Sequence, residues 1–236
     1  MSGAFAGRVA LVTGASRGIG AAIAHSLAAR GAHVILVARK ATDLEAVEDA
    51  IHNAGGTATI VPLDITDGEG VSRLAGAVAQ RWERLDMLVL NAAGLGTLAP
   101  LASSDMAEVG RLFTLNVIAQ HGLIAAFEPL LRRSDAGRVV ALTSSVGRTP
   151  RAYWGPYAAS KAALENLIAT FGDEMARISN VRTAIVDPGA TRTTMRARAF
   201  PGEDALRVKE PAVVGEAVAD LLASDFASTA FVRVEG

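Results

Sequence analysis

Tyr157 and Lys161 stand four residues apart, with Ser144 thirteen residues before the tyrosine. Residues four apart on a helix share a face, so phenol and ammonium are expected to point the same way at a helix start. A free tyrosine titrates near ~10, too high for a base at neutral pH. A neighbouring ammonium and the positive end of a helix both favour phenolate, so the pair is expected to lower the tyrosine's pKa. Ser144 ends the strand-like run before them, where its hydroxyl can hydrogen-bond a substrate oxygen beside Tyr157. The chemistry that fits is proton transfer at a carbonyl. Tyr-x-x-x-Lys alone arises by chance. It gains weight here from the serine, from a glycine-rich loop and from the segment Asn91-Ala92-Ala93-Gly94.

That loop, Thr13-Gly14-Ala15-Ser16-Arg17-Gly18-Ile19-Gly20, follows an apolar run and precedes a helix-length segment. Glycine lets a backbone turn tightly and approach a pyrophosphate, and a helix N-terminus aims free N–H groups and partial positive charge at it. Gly14, Ser16, Arg17, Gly18, Ile19 and Gly20 are therefore candidate dinucleotide contacts. The spacing is G-x-x-x-G-x-G, not the commoner G-x-G-x-x-G, and such a loop alone is also simply a tight turn. Within it, Gly14-Ala15-Ser16-Arg17-Gly18 matches the nucleophile elbow of α/β-hydrolases, which would make Ser16 a nucleophile. That order needs a late histidine, and none of His25, His33, His52 and His121 follows residue 121.

The second strand-like run ends Leu36-Val37-Ala38-Arg39-Lys40, with no acid before Asp43. NAD enzymes place an acid there for the ribose 2′-OH. Arg39, helped by Arg17, is placed to meet a 2′-phosphate instead, because a guanidinium suits phosphate through charge and fork geometry. The plain alternative is that both are solvated surface cations. Two cations flanking one spot favour NADP(H).

The elements that must hold these groups follow a regular pattern. Strand-length apolar runs occur at Val9–Val12, His33–Val37, Thr57–Val61, Met87–Leu90, Arg138–Leu142, Val181–Val186 and Ala230–Val234. Helix-length segments lie between them at Ile19–Arg30, Leu44–Asn53, Gly70–Arg81, Met106–Leu131, Tyr157–Ile178 and Val213–Ala223. Alternating strands and helices predict an α/β fold: a single-domain, Rossmann-type, doubly wound parallel sheet of about seven strands with helices on both faces. No linker splits residues 1–236. The Arg-rich stretch Pro188–Pro211 is long and irregular, and is expected to be a substrate lid hinged at Pro188-Gly189.

Composition narrows the function further. The 236 residues are half apolar, and the net charge of −1 draws the chain to neither nucleic acid nor an anionic membrane. Absence of cysteine excludes disulfides, thiolate catalysis and Cys-bound zinc. Met1–Gly7 shows no secretory signal and no stretch reads as a membrane span, so a cytoplasmic protein is expected. The apolar runs Leu123–Phe127 and Ala158, Ala159, Ala162 and Ala163 suggest a homotetramer or homodimer.

Taken together, T-G-A-S-R-G-I-G at 13–20, Asp64, N-A-A-G at 91–94, Asn116, Ser144, Tyr157, Lys161 and Pro188-Gly189 resemble the short-chain dehydrogenase/reductase family, in its order and spacing along nearly the whole chain. The resemblance implies an NADP(H)-dependent oxidoreductase that interconverts a carbonyl and a secondary alcohol. It implies that Tyr157 is the acid or base, that Lys161 tunes it and holds the nicotinamide ribose, and that Ser144 polarises the carbonyl. Asn116 would hold a water in a proton relay. Asp64 and Ile65 would face the adenine, and Asn91, with Ala92 and Gly94, would border the adenosine ribose. Pro188 and Gly189 would flank the nicotinamide, with Thr191 and Thr193 near its amide and phosphates. Within the class, a 3-oxoacyl-carrier-protein reductase is the alternative; in another class, a non-catalytic dinucleotide sensor. The ending Val232-Arg233-Val234-Glu235-Gly236 departs from the family's usual Val-Asp-Gly-Gly, which leaves the substrate open.

Overall fold

The computed structural model describes residues 3–235; the expectations at Met1 and Gly236 fall outside them. Seven strands form one parallel sheet in the order β3-β2-β1-β4-β5-β6-β7. They are β1 Val9–Thr13, β2 His33–Ala38, β3 Thr57–Pro62, β4 Met87–Leu90, β5 Arg138–Leu142, β6 Arg182–Asp187 and β7 Ala230–Arg233. The helices are α1 Gly18–Ala29, α2 Ala41–Asn53, α3 Gly68–Trp82, α4 Met106–Phe113, α5 Ala119–Arg132, α6 Gly155–Ala176, α7 Thr194–Ala199 and α8 Pro211–Ala223.

Strand alternation divides the core in two. Ala10 and Val12 of β1 pack beneath α1, α2 and α8, with Ile23, Leu27, Leu44 and Val218. Val9 and Leu11 face α3, α5 and α6, with Leu74, Phe127 and Ile168. A strand buried on both faces has no polar side to show, which is why each reads as a continuous apolar run. Close helix packing explains the small residues: a methyl on Gly215 of α8 would lie 2.7 Å from the Ala22 carbonyl oxygen of α1.

The strand order runs outward from β1 in one direction and from β4 in the other. The crevice at the carboxyl ends of these two strands is where such sheets bind ligands. The glycine loop leaves β1 there and Asn91 leaves β4.

Two segments depart from expectation. The single helix expected over Met106–Leu131 is interrupted by a π-helical turn, Thr114–Ile118, that carries Asn116. Such turns often sit at functional sites. The irregular 188–211 segment holds α7 and a 3₁₀ turn at Ala205–Arg207, and its ends are tied together. Thr191 bridges Lys209, and the Arg192 N–H donates to the Lys209 carbonyl at 2.8 Å. The segment is thus closed into a loop at its base rather than hanging as a free strand.

Among the described residues, no helix is long and apolar enough to cross a membrane. Leu123, Ile124 and Phe127, on which the expected assembly partly rested, are consumed by the core. Among the residues that α5 and α6 expose are the small Gly122, Ala125, Ala159 and Ala162, alongside polar ones such as His121, Asn166 and Thr170.

Candidate active site

One cleft of about 910 Å³ is lined by every expected catalytic or cofactor residue except Gly20 and Asn116, which lie behind its wall. At one end is the glycine loop. Gly14 and Gly18 take φ values of +64° and +57°, a region L side chains rarely adopt. Thr13, to which the sequence assigned no role, is the loop's anchor. Its fully buried hydroxyl accepts from the Asn91 and Ala92 N–H groups at 3.0 and 3.1 Å and donates to the Val89 carbonyl at 3.2 Å. The Asn91 side-chain amide donates to the Thr13 carbonyl at 2.9 Å. A methyl on Gly20 would collide with the Gly14 carbonyl and the Asn91 amide. Asn91 and Gly20 thus brace the loop from beneath.

Above the β2 end, Arg39 and Lys40 line the cleft beside Arg17, which pairs with Asp43 at 3.5 Å. Both partners are largely exposed, so this pair is weak. Asp64 accepts from the Thr66 N–H and hydroxyl at 3.0 and 2.8 Å. Those bonds, with Arg39 nearby, hold its carboxyl below the usual range. Ile65 beside it is buried.

At the other end, α6 carries Tyr157 in its first turn and Lys161 one turn on, both buried. The expected lowering of the Tyr157 pKa is not found. Burial, with the Asp187 carboxylate adding to it, pushes the phenol up to about 12, against an opposing pull from Ser144. Burial also brings Lys161 down to about 8, with Glu165 opposing. The Lys161 ammonium donates to the Leu142 carbonyl at 2.8 Å and lies 5.8 Å from the centre of the Tyr157 ring. Spacing identified the partners; desolvation, which spacing does not reveal, reverses the direction. Tyr157 is therefore held as a phenol, the form that gives a proton. Ser144 lines the cleft, whereas Ser145 is exposed and its carbonyl accepts from the Arg148 and Thr149 N–H groups.

Asn116 does not reach the cleft. Its side-chain oxygen accepts from the Gly94 N–H at 2.8 Å, and its amide hydrogens go to the Gly94 carbonyl and the Ser160 hydroxyl, each at 3.0 Å. Ser160 in turn donates to the Tyr157 carbonyl at 2.7 Å. Its side-chain amide thus fixes the 91–94 segment against the helix of Tyr157. Glu165, not foreseen, is buried behind Lys161. It accepts from the Thr143 hydroxyl at 2.5 Å and from Arg148 at 2.6 Å. Its i+4 spacing from Lys161 was the available signal.

The 188–211 segment covers the cleft between these ends. Asp187 accepts from the Gly189 N–H at 3.0 Å and shapes the Pro188-Gly189 turn. The Thr191 hydroxyl folds back on the Pro188 carbonyl at 3.0 Å. Thr193 caps α7, accepting from the Arg196 N–H at 3.1 Å, and its methyl lies 3.4 Å from where a Gly18 methyl would be. Met195 and Ala199 join Leu95, Leu112, Trp154 and Tyr157 in a small apolar wall.

The family model described as short chain dehydrogenase matches residues 8–204. YciK of Escherichia coli K12, named an uncharacterized oxidoreductase, is 40% identical over 208 residues, covering 87% of this chain and 82% of its own. A crystal structure of a short chain dehydrogenase from Salmonella enterica serovar Typhi superposes with a TM-score of 0.95 at 35% identity, covering 100% of this chain and 99% of the other. A metagenomic short-chain oxidoreductase in complex with NADP gives a TM-score of 0.84 at 34% identity, covering 99% of this chain and 100% of that one. With this sheet order, this cleft and a match over most of its length, the chain belongs to the short chain dehydrogenase family of oxidoreductases.

Proposed function

We propose that the whole chain acts as one dinucleotide-binding and catalytic unit, an NADP(H)-dependent oxidoreductase that interconverts a carbonyl and a secondary alcohol. The observation that carries this reading is a single cleft with a glycine cradle and basic β2 end at one extremity and Ser144, Tyr157 and Lys161 at the other. The cradle suits a dinucleotide: left-handed glycines and a methyl-free Gly20 leave backbone, not side chain, facing a pyrophosphate. Arg39, Arg17 and Lys40 would take the 2′-phosphate, Asp64 and Ile65 the adenine, and Asn91 to Gly94 the ribose. Pro188, Gly189, Thr191 and Thr193 would border the nicotinamide half. A solved relative in complex with NADP supports the choice of cofactor.

When bound, the nicotinamide supplies or accepts the hydride. The protein handles the proton. Ser144 hydrogen-bonds the substrate oxygen and orients it toward Tyr157. In reduction, the Tyr157 phenol donates its proton to that oxygen as negative charge develops on it. Lys161 holds positive charge behind the phenol and stabilises the phenolate left there. In oxidation the same groups run in reverse. Asn116 is a positioning residue, linking Gly94 to the helix of Tyr157 through Ser160. Residues 188–211 close over the reactants and limit water. The small exposed face of α5 and α6 is proposed to meet a second copy, which light scattering at micromolar concentration would show as a dimer or tetramer and refute as a monomer.

The test is a panel of ketones assayed with NADPH and with NADH. At least one ketone should consume NADPH, with NADPH strongly preferred. Changing Arg39→Asp should cost NADPH about 10–100-fold in kcat/KM, the value of a charged hydrogen bond to phosphate, and spare NADH. Equal use of both cofactors by the unaltered enzyme would reject the assignment.

A further inference from the structure

The cations of the 188–211 segment differ in one respect. Arg192 pairs with Glu210, and Arg196 grips Glu203 at 2.5 and 2.6 Å while stacking on Phe200. Arg207 pairs with Asp204 at 3.6 Å, and Lys209 donates to the Val234 carbonyl. Glu203, Asp204 and Glu210 are the only acids between residues 188 and 211, and all three are engaged. Arg198 alone of these cations has no partner among the described residues, and it lines the cleft.

Its surroundings give it a direction. Every residue of α7 except Ala197 lines the cleft. Met195, three residues before Arg198, and Ala199, the next residue, pack into the apolar wall beside Tyr157. Arg111 of α4, adjacent in sequence to Leu112 of that wall, also lines the cleft; its one acidic partner, Asp105, is 4.0 Å away and both are well exposed. The cleft's lining contains two acids, Asp43 and Asp64, and both belong to the end with the glycine loop and β2. The end holding Tyr157 therefore joins an apolar wall to a rim where the exposed Arg198 is unpaired among the described residues; Asp187, whose carboxylate bears on Tyr157, is buried and outside the lining.

We propose that the substrate carries an anionic group, a carboxylate or its equivalent, recognised by Arg198, with its apolar body against the wall formed by Leu95, Leu112, Trp154 and Met195. This rests on the carbonyl-reductase reading above and names its substrate class. A guanidinium on a partly covered cleft attracts an anion strongly and discriminates against the neutral analogue. The shared anion chemistry has a second source, the cofactor's own phosphates, because the Thr193 methyl at the head of α7 lies 3.4 Å from where a Gly18 methyl would be. The experiment separates the two.

A panel of keto acids, each paired with its methyl ester, is assayed with saturating NADPH in the unaltered enzyme, Arg198→Ala and Arg198→Lys. The account expects acids to exceed their esters by about tenfold or more in kcat/KM, through KM. Arg198→Ala should erase that advantage, Arg198→Lys should restore part of it, and the KM for NADPH should stay unchanged in both. Esters turned over as well as acids would overturn the proposal and leave the oxidoreductase reading intact. So would an Arg198→Ala variant that raises the KM for NADPH while keeping the acid preference, which would assign the arginine to the cofactor. If no ketone of either kind consumes NADPH, the function itself fails. Charge preference is then read by quenching of Trp154 fluorescence in a Trp82→Phe background on the NADPH complex, with benzoate against benzamide, and equal binding of the two overturns the proposal.

Discussion

Two sides of the cleft are held in different ways. Under the glycine loop, Thr13, Asn91 and Gly20 form a braced support with a fully buried hydroxyl at its centre. Over the cleft, the 188–211 segment is tied by the Thr191–Lys209 bridge at its base, while its outer part is held largely by Arg192–Glu210, Arg196–Glu203 and Arg207–Asp204, ion pairs at or near the surface. Removing one partner of a buried hydrogen bond costs about 1–3 kcal/mol, whereas an exposed ion pair is worth about 0–1 kcal/mol. The floor is over-determined and the cover is not. On the proposed reading, cofactor geometry belongs with the first, and admission and choice of substrate with the second.

The largest effect should come from the chemical end of the cleft, the next largest from the floor. Tyr157→Phe keeps the ring's packing and removes the transferable proton, so kcat should fall on the order of 10²–10⁴-fold while NADPH still binds. Near-normal turnover would remove Tyr157 from the chemistry. Gly20→Ala should follow, since its methyl meets the Gly14 backbone carbonyl as well as the Asn91 side-chain amide, which is itself bound to the Thr13 carbonyl. An overpacking cost of about 1–3 kcal/mol is expected, seen as a lower Tm together with weaker NADPH binding. Unchanged binding would mean the brace is not what shapes the loop.

The pH profile tests the electrostatics between the two. Tyr157 is pushed up to about 12 and Lys161 down to about 8, so the alkaline fall of carbonyl reduction should follow loss of the Lys161 ammonium, not of the phenol. Lys161 is faced by Glu165 and Tyr157 on α6 and by the Leu142 carbonyl of β5. Asp187 of β6 bears on Tyr157, and Arg148 is bound to Glu165. Glu165 favours the ammonium, so Glu165→Gln should move that limb to lower pH, with several-fold less activity than the unaltered enzyme at pH 8.5. An unmoved limb would make Glu165 purely structural.

The smallest effect belongs to the cover. Arg196→Ala breaks one exposed pair, so kcat should change by less than about threefold. Trypsin cleavage within 192–207 should quicken, and NADPH should slow it. Cleavage indifferent to cofactor would show that this segment does not close over it.

This difference also explains what the sequence shows. The five central strands were legible because a strand buried on both faces leaves an apolar run of strand length; the partly exposed edge strands β3 and β7 were legible from their spacing and β-branched residues. Residue types in the cleft were legible because glycine, tyrosine and lysine there do what few other residues can. The π turn at Thr114–Ile118 was not, since a single wider turn hardly disturbs helical periodicity. Nor does spacing show that Gly94 and Ser160 take up the bonds of the Asn116 side chain. The direction of the Tyr157 shift was missed because sequence reports a neighbour and not its desolvation. Among the lid arginines, sequence could not say which ones meet Glu203, Glu210 and Asp204.

The central claim is hydride transfer between a nicotinamide and a carbonyl carbon in this cleft. Incubating the enzyme with ketones and NADPH deuterated at C4, on each face separately, and analysing the alcohol by mass spectrometry and NMR tests it directly. The account predicts deuterium on the carbinol carbon from one face only, and none with Tyr157→Phe under the same conditions. NADPH that binds, with no deuterium in any alcohol across the panel, would contradict it and leave a dinucleotide-binding protein without this chemistry.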